Sequence, residues 1–192
     1  HVGRLHGAVQ GVTPDGTPYR ATDTDLLDWV QATASFGFLN AYHVYARSLT
    51  PADRDRFYAE GAVAARLYGA QGAPVSEADQ QAQFAAMEPR LEASDIVHEF
   101  LTIIARVPVL PAPLRGLQSV MVRAAIDLVP APVRHTLQLG SRAGLRPGER
   151  WLVTRIAKAA DRVPLRSSPA VQACRRLGLP DDYLYRRRPQ QR

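Results

Sequence analysis

The chain has one cysteine, Cys174, one lysine and no run of about eighteen apolar residues among its 192 residues. A lone cysteine excludes an intramolecular disulfide and a cysteine-rich zinc site, and it is typical of a reducing, cytoplasmic location. The lack of a long apolar run excludes a transmembrane helix of ordinary length. Hydrophobic residues make up 46% of the chain and charged residues 22%, which is the composition of an ordinary globular domain.

The motifs of the common nucleotide-, zinc- and serine-dependent enzymes are also missing. The sequence contains no GxGxxG before a helix, no GxxxxGK[ST], no HExxH and no GxSxG. Asp23, Asp25 and Asp28 could form a carboxylate metal site. Carboxylates in the first turn of a helix are better explained by capping and by the helix dipole, so the metal site is the weaker interpretation.

The remaining candidate side chains receive structural interpretations. His43 is expected to be a structural residue of a long helix, while His98 and His135 are expected at surface or capping positions. Met87 and Met121 are predicted to fill the core.

Positive charge is concentrated in the second half of the chain. Residues 1–96 carry a formal charge of −5, and residues 97–192 carry +11. Such asymmetry is consistent with a face for an anionic membrane. The alternative is a compositional bias, because 23 of the 24 basic residues are arginine. The basic residues are spread out and have few aromatic neighbours, so no nucleic-acid partner is predicted.

Apolar periodicity predicts an all-α fold of about eight helices, with no strand required. Helix starts are indicated by Thr50-Pro51-Ala52-Asp53, Ser76 and Ser94. Residues 1–185 are predicted to form a single domain, followed by a basic tail at 186–192. After an opening helix, the predicted helices span residues 24–46, 51–69, 76–91, 95–106, 114–129, 131–139, 151–163 and 169–177.

His6 is the most informative residue of the opening helix. Val2, Leu5 and Val9 recur at helical spacing and place the imidazole on an apolar stripe, facing a core, before Gly11 ends the helix. A histidine on such a stripe is either a hydrogen-bonded core residue or an iron ligand. Spacing alone favours the first interpretation.

Several segments, in this order, resemble the MpaB/rubber-oxygenase family, which includes the latex-clearing proteins. The similarity extends over nearly the whole chain. The segments that carry it are Arg4-Leu5-His6-Gly7-Ala8-Val9-Gln10-Gly11, Asp15-Gly16-Thr17-Pro18-Tyr19-Arg20-Ala21, Asp25-Leu26-Leu27-Asp28-Trp29-Val30, Leu49-Thr50-Pro51-Ala52-Asp53, Phe57-Tyr58-Ala59-Glu60, Leu67-Tyr68-Gly69 and Leu128-Val129-Pro130-Ala131-Pro132-Val133-Arg134.

The resemblance implies a single globin-like helical bundle that holds haem b and acts as an oxygenase. By this match His6 is the axial ligand of the haem iron, so His6 is both the cofactor-binding and the metal-binding residue. The implied partners are dioxygen and a small apolar substrate, such as an alkene or isoprenoid. Helix 24–46 and residues 97–104 are the expected pocket walls.

Two departures from the family pattern limit what carries over. The family's distal Arg/Lys/Thr cluster precedes the ligand histidine by some thirty residues, so this chain is expected to be the C-terminal part of a longer protein. Many relatives have histidine where this chain has Gln31, and no catalytic acid or base is assigned. The alternatives are a helical binding module without haem chemistry and peripheral attachment to a membrane through the basic, proline-broken C-terminal half.

Overall fold

A computed structural model describes residues 2–13, 16–108, 110–140 and 143–186. Nine α-helices and one two-stranded antiparallel sheet form the regular structure of these residues, which confirms the all-α prediction. The helices are α1 (Val2–Gly7), α2 (Thr24–Ala41), α3 (Pro51–Arg66), α4 (Glu77–Met87), α5 (Asp95–Arg106), α6 (Arg115–Leu128), α7 (Ala131–Thr136), α8 (Glu149–Ala160) and α9 (Pro169–Arg176), and the strands are β1 (Gln10–Val12) and β2 (Pro18–Arg20).

The predicted helix starts are confirmed by their capping hydrogen bonds. The Thr50 hydroxyl accepts from the Asp53 N–H, and the Asp53 carboxylate accepts from the Thr50 N–H, which completes a capping box. Ser76 accepts from the N–H of Asp79 and Ser94 accepts from that of Ile96. These bonds satisfy amide groups that the first turn of a helix leaves without a partner.

The hairpin of β1 and β2 was not predicted, and the expectation that Gly11 ends the first helix was wrong. Helix α1 ends at Gly7, and Gly11 pairs with Tyr19 in the sheet. Strands of three residues are too short to show an apolar alternation, so the sequence gives no signal for them. The predicted turn is present at Gly16, which has a φ of +89°, while Pro14 and Asp15 lie outside the described residues.

Helix α2 occupies the centre of the bundle, where it contacts α3, α4 and α6. Small side chains form a buried core cluster, in which Ala62, Ala65, Ala70 and Ala73 pack against Leu27. A π-helical turn, Tyr42–Ala46, continues α2 to the predicted end of the long helix and packs against α8.

Two minor expectations have different outcomes. Met121 is 53% exposed, so its assignment to the core was wrong. Arg186, the first residue of the predicted basic tail, forms an ion pair with Asp182, while residues 187–192 lie outside the described part of the chain.

Within the described ranges, no helix combines the length and the apolar character that a membrane span needs.

Candidate functional site

His6 lies near the end of the short helix α1, and its side chain is partly buried. The chain then turns through hydrogen bonds from the Ala8 N–H to the Leu5 carbonyl and from the Val9 N–H to the His6 carbonyl. The imidazole makes no hydrogen bond with any residue that the structure describes. No described residue therefore occupies either ring nitrogen, so both can bind a ligand.

The prediction that the stripe around His6 faces a core was wrong for its described side chains. Leu5 is 59% exposed and Val9 is 52% exposed, while the side chain of Val2 lies outside the described residues. The reason is that α1 has only six residues and Val9 lies beyond its end. The imidazole thus lies in a segment whose described apolar side chains, Leu5 and Val9, are exposed rather than packed.

The β1–β2 hairpin fixes the backbone that follows His6. The Ala21 N–H donates to the Val9 carbonyl at 3.0 Å, and the Asp23 carboxylate accepts from the Arg20 N–H at 2.8 Å. A Cβ atom at Gly11 would lie 2.7 Å from the Tyr19 hydroxyl oxygen, so the Tyr19 ring lies over Gly11 and would have to shift to admit a larger residue there. These contacts connect the end of the His6 segment to the start of α2.

An open groove of about 500 Å³ lies at the hairpin. His6 is not among the residues that line it. Those residues are Gln10, Gly11, Val12, Pro18, Tyr19, Arg20 and Asp23.

The three aspartates at the start of α2 do not form a metal site. Asp23 accepts from the Arg20 backbone, whereas Asp28 accepts from the N–H of Gly72 at 2.9 Å. No group of three or more histidine, cysteine or carboxylate side chains suited to a metal occurs among the described residues. A haem iron needs only one protein imidazole, so this finding does not bear on His6.

Gln31 connects α2 to the end of α3. Its amide oxygen accepts from the Tyr68 hydroxyl at 3.0 Å, and its amide nitrogen donates to the Ser35 hydroxyl at 2.9 Å. Both ends of the amide are thereby held in a network of neutral hydrogen bonds. The residue that departs from the family pattern therefore has a structural function in this chain.

The other sequence candidates are distributed as follows. The Nδ1 atom of His43 accepts the Leu49 N–H at 2.8 Å, which is a structural role, and His98 and His135 are exposed. Helix α2 contributes to the walls of two further cavities, and residues 97–104 line neither of them.

Sequence reasoning missed Gln80, which is 2% exposed and lines one of these cavities. The only signal for it was a glutamine four residues before Phe84 on the inner side of α4, where an apolar residue is expected.

One of the comparisons with known proteins identifies a family for this chain. A family model described as "ER-bound oxygenase mpaB/B'/Rubber oxygenase, catalytic domain" matches residues 1–162. The comparisons with curated proteins and with solved structures found no match.

Proposed function

Because this chain belongs to the ER-bound oxygenase mpaB/B'/rubber oxygenase family, we propose that it is a haem-b-dependent oxygenase that acts on a small apolar alkene or isoprenoid with dioxygen. The family match over residues 1–162 is the observation that carries this proposal, and it establishes a domain of the oxygenase class. The haem, its ligand and the substrate are inferred from the family and from the residues of the His6 segment.

The His6 segment is chemically suited to the cofactor. One imidazole without a described hydrogen-bond partner supplies the single protein ligand that haem iron requires on its proximal side. The exposed side chains of Leu5 and Val9 provide apolar surface next to that imidazole. A porphyrin would cover such surface, since its faces are largely apolar.

The chain's own contribution to the reaction is positioning. His6 would hold the iron, and the hairpin contacts from Ala21 to Val9 and from Arg20 to Asp23 would fix the backbone behind it. When bound, haem supplies the redox chemistry by which dioxygen reacts with a carbon–carbon double bond. Apolar side chains of the same segment would favour an uncharged hydrocarbon over a polar substrate.

The first test is haem binding by the full chain and its His6→Ala variant, with His98→Ala as a matched control at an exposed histidine. After reconstitution with hemin, we expect a haem absorption band in the parent and in His98→Ala. In His6→Ala the band should be lost or shifted. Oxygen consumption with an apolar alkene should then follow the same order.

Two outcomes count against parts of this proposal. Identical spectra for the parent and His6→Ala would exclude His6 as the ligand while leaving a haem protein. A parent that takes up no hemin would favour the alternative of a helical binding module without haem chemistry.

A second function, peripheral attachment to an anionic membrane, is favoured by the outer surface of α8. Trp151 is 67% exposed, and the guanidinium of Arg155 lies 5.7 Å from the centre of its ring. Lys158 and Arg162 are exposed at helical spacing along the same face. A tryptophan beside basic side chains is typical of helices that lie at a membrane surface.

Co-sedimentation with vesicles containing phosphatidylserine tests this attachment. Charge reversal at Arg155→Glu and Lys158→Glu should weaken the vesicle-binding constant by more than about tenfold, since each basic residue near an anionic surface contributes about 1 kcal/mol and about 1.4 kcal/mol corresponds to tenfold. The matched control reverses Arg56 and Arg66, two exposed arginines of α3. If both double variants lost vesicle binding equally, binding would depend on net charge alone, which would contradict a specific membrane-binding surface on α8.

A further inference from the structure

A second cavity, with a volume of about 390 Å³, lies where α2, α4 and the start of α7 meet. This volume falls within the range of small-molecule binding sites in proteins. None of its lining residues belongs to α1 or to the hairpin, so the cavity is built independently of the His6 segment.

One wall of this cavity is aromatic. The ring of Phe84 contacts the rings of Trp29 and Phe36, with centroid distances of 5.2 Å and 5.0 Å and tilted geometry. These two contacts restrict the motion of the Phe84 ring. Pro132 and Val133 contribute apolar surface from the start of α7. The cavity therefore offers preformed faces for a flat, apolar ring.

Gln80 supplies a buried polar group beside the aromatic wall. The residue is 2% exposed and lines the cavity, and its amide nitrogen has no acceptor among the described residues. An unpaired buried amide N–H costs about 1–3 kcal/mol. A ligand with a hydrogen-bond acceptor at this position would remove that cost.

The charge at the cavity disfavours anions. Glu77 and Glu88 both line it, and among its described lining residues there is no lysine, arginine or histidine. Glu77 is paired with Arg54 at 2.9 Å, whereas Glu88 forms no ion pair with a described residue. A carboxylate or phosphate ligand would therefore meet repulsion without a compensating cation.

From these features we infer that the cavity is a binding site for a small, uncharged ring compound that carries a carbonyl-type acceptor. The ring packs against Phe36 and Phe84, and the acceptor receives the hydrogen bond of the Gln80 amide. The inference does not depend on haem or on His6, so its failure and the failure of the oxygenase proposal are distinguishable.

The test compares three probes of similar size by NMR titration of the full chain. Acetophenone has the ring and the acceptor, ethylbenzene lacks the acceptor, and benzoate adds a negative charge. We expect acetophenone to shift the signals of Phe36, Phe84 and Val133 and to bind most tightly. Benzoate should bind at least tenfold more weakly than acetophenone.

Substitutions at two neighbouring glutamines test whether the Gln80 amide donates the proposed hydrogen bond to the ligand. Gln80→Leu should weaken acetophenone binding about fivefold to tenfold and leave ethylbenzene unchanged, because only the first probe uses the amide. Gln81→Leu is the matched control, since Gln81 lines the same cavity but is exposed to water. It should leave the affinity of both probes within about twofold.

A cavity-filling variant, Val133→Phe, provides a test that does not depend on Gln80. It should weaken both acetophenone and ethylbenzene at least tenfold. The inference is overturned if acetophenone causes no shifts at the cavity or if benzoate binds as tightly. It is also overturned if Gln80→Leu weakens both neutral probes equally, or if Val133→Phe binds them as the parent does.

Discussion

At the scale of single residues, buried amide and hydroxyl groups connect helices through backbone carbonyls. The Gln118 amide donates to the carbonyls of Ile104 and Val107, each at 2.6 Å, and so connects α6 to the end of α5. The buried Tyr45 hydroxyl donates to the Ala124 carbonyl at 3.1 Å. Gln80 is buried to a similar extent but has no described acceptor for its amide nitrogen. The Gln118 amide is therefore structural, whereas the Gln80 amide is a candidate for binding a ligand.

Glu149 provides a prediction about pH at this scale. Two hydrogen bonds from the Arg123 guanidinium, at 2.8 and 2.5 Å, and one from the Arg146 N–H lower the pKa of Glu149 to about 2 from its usual 4.5. A lowered pKa in the folded state stabilises the protein above the pKa of the unfolded state, and this stability is lost as the pH falls through the folded value.

Glu149→Gln should therefore lower the Tm at pH 7, and the difference from the parent should shrink as the pH falls from about 5 to about 2. Thermal denaturation followed by circular dichroism across this range measures the effect. The control is Glu99→Gln, an exposed glutamate that forms no ion pair with a described residue. A difference that is constant with pH would contradict the ion-pair explanation.

At the scale of elements, the end of α2 determines how the C-terminal half of the chain packs. The helix widens into the π-helical turn, where the Arg47 N–H donates to the Tyr42 carbonyl five residues earlier. The Tyr42 hydroxyl donates to the Asp161 carboxylate at 2.7 Å, and Arg47 binds the same carboxylate at 3.1 Å. These two contacts connect the turn to the end of α8.

The start of α3 gives a prediction at the scale of an element. Thr50→Ala removes the side-chain half of the capping box and should lower the free energy of unfolding by about 1 kcal/mol. Chemical denaturation measures this change. Thr102→Ala is the matched control, because the Thr102 hydroxyl donates to the His98 carbonyl within α5 and caps no helix start. This substitution should cost less. If the two substitutions lowered the free energy of unfolding equally, the capping hydrogen bond would contribute no stability beyond that of helix propensity.

At the scale of the whole molecule, the excess of positive charge remains on the surface after the ion pairs have formed. Residues 97–192 contain six acidic residues, and all except Glu99 are in ion pairs with arginine. Those acids are therefore already paired with individual arginines and leave the surplus cations exposed to solvent. Arg155 and Lys158 on α8 and Arg162 just after its end belong to this surplus, which is the physical basis for the proposed attachment to an anionic membrane.

Much of the helical structure could be predicted because its signals are local. The capping residues Thr50, Ser76 and Ser94 start their helices as predicted, since each bonds to an amide two or three residues away. The environment of His6 could not be predicted in the same way. Its apolar neighbours had the spacing of a core-facing helix, but that helix ends at Gly7, and the hairpin that follows depends on pairing between residues six to ten positions apart.

The sequence by itself determined the helical class, the helix starts, the charge asymmetry and membership of the oxygenase family, because these depend on composition, on neighbouring residues and on the order of motifs. Only the tertiary structure decided that Leu5 and Val9 are exposed, that Gln31 bonds to Tyr68, and that Gln80 is buried against an aromatic wall. Burial and long-range hydrogen bonds arise where separate helices meet, and no local pattern in the chain specifies which side chains meet there.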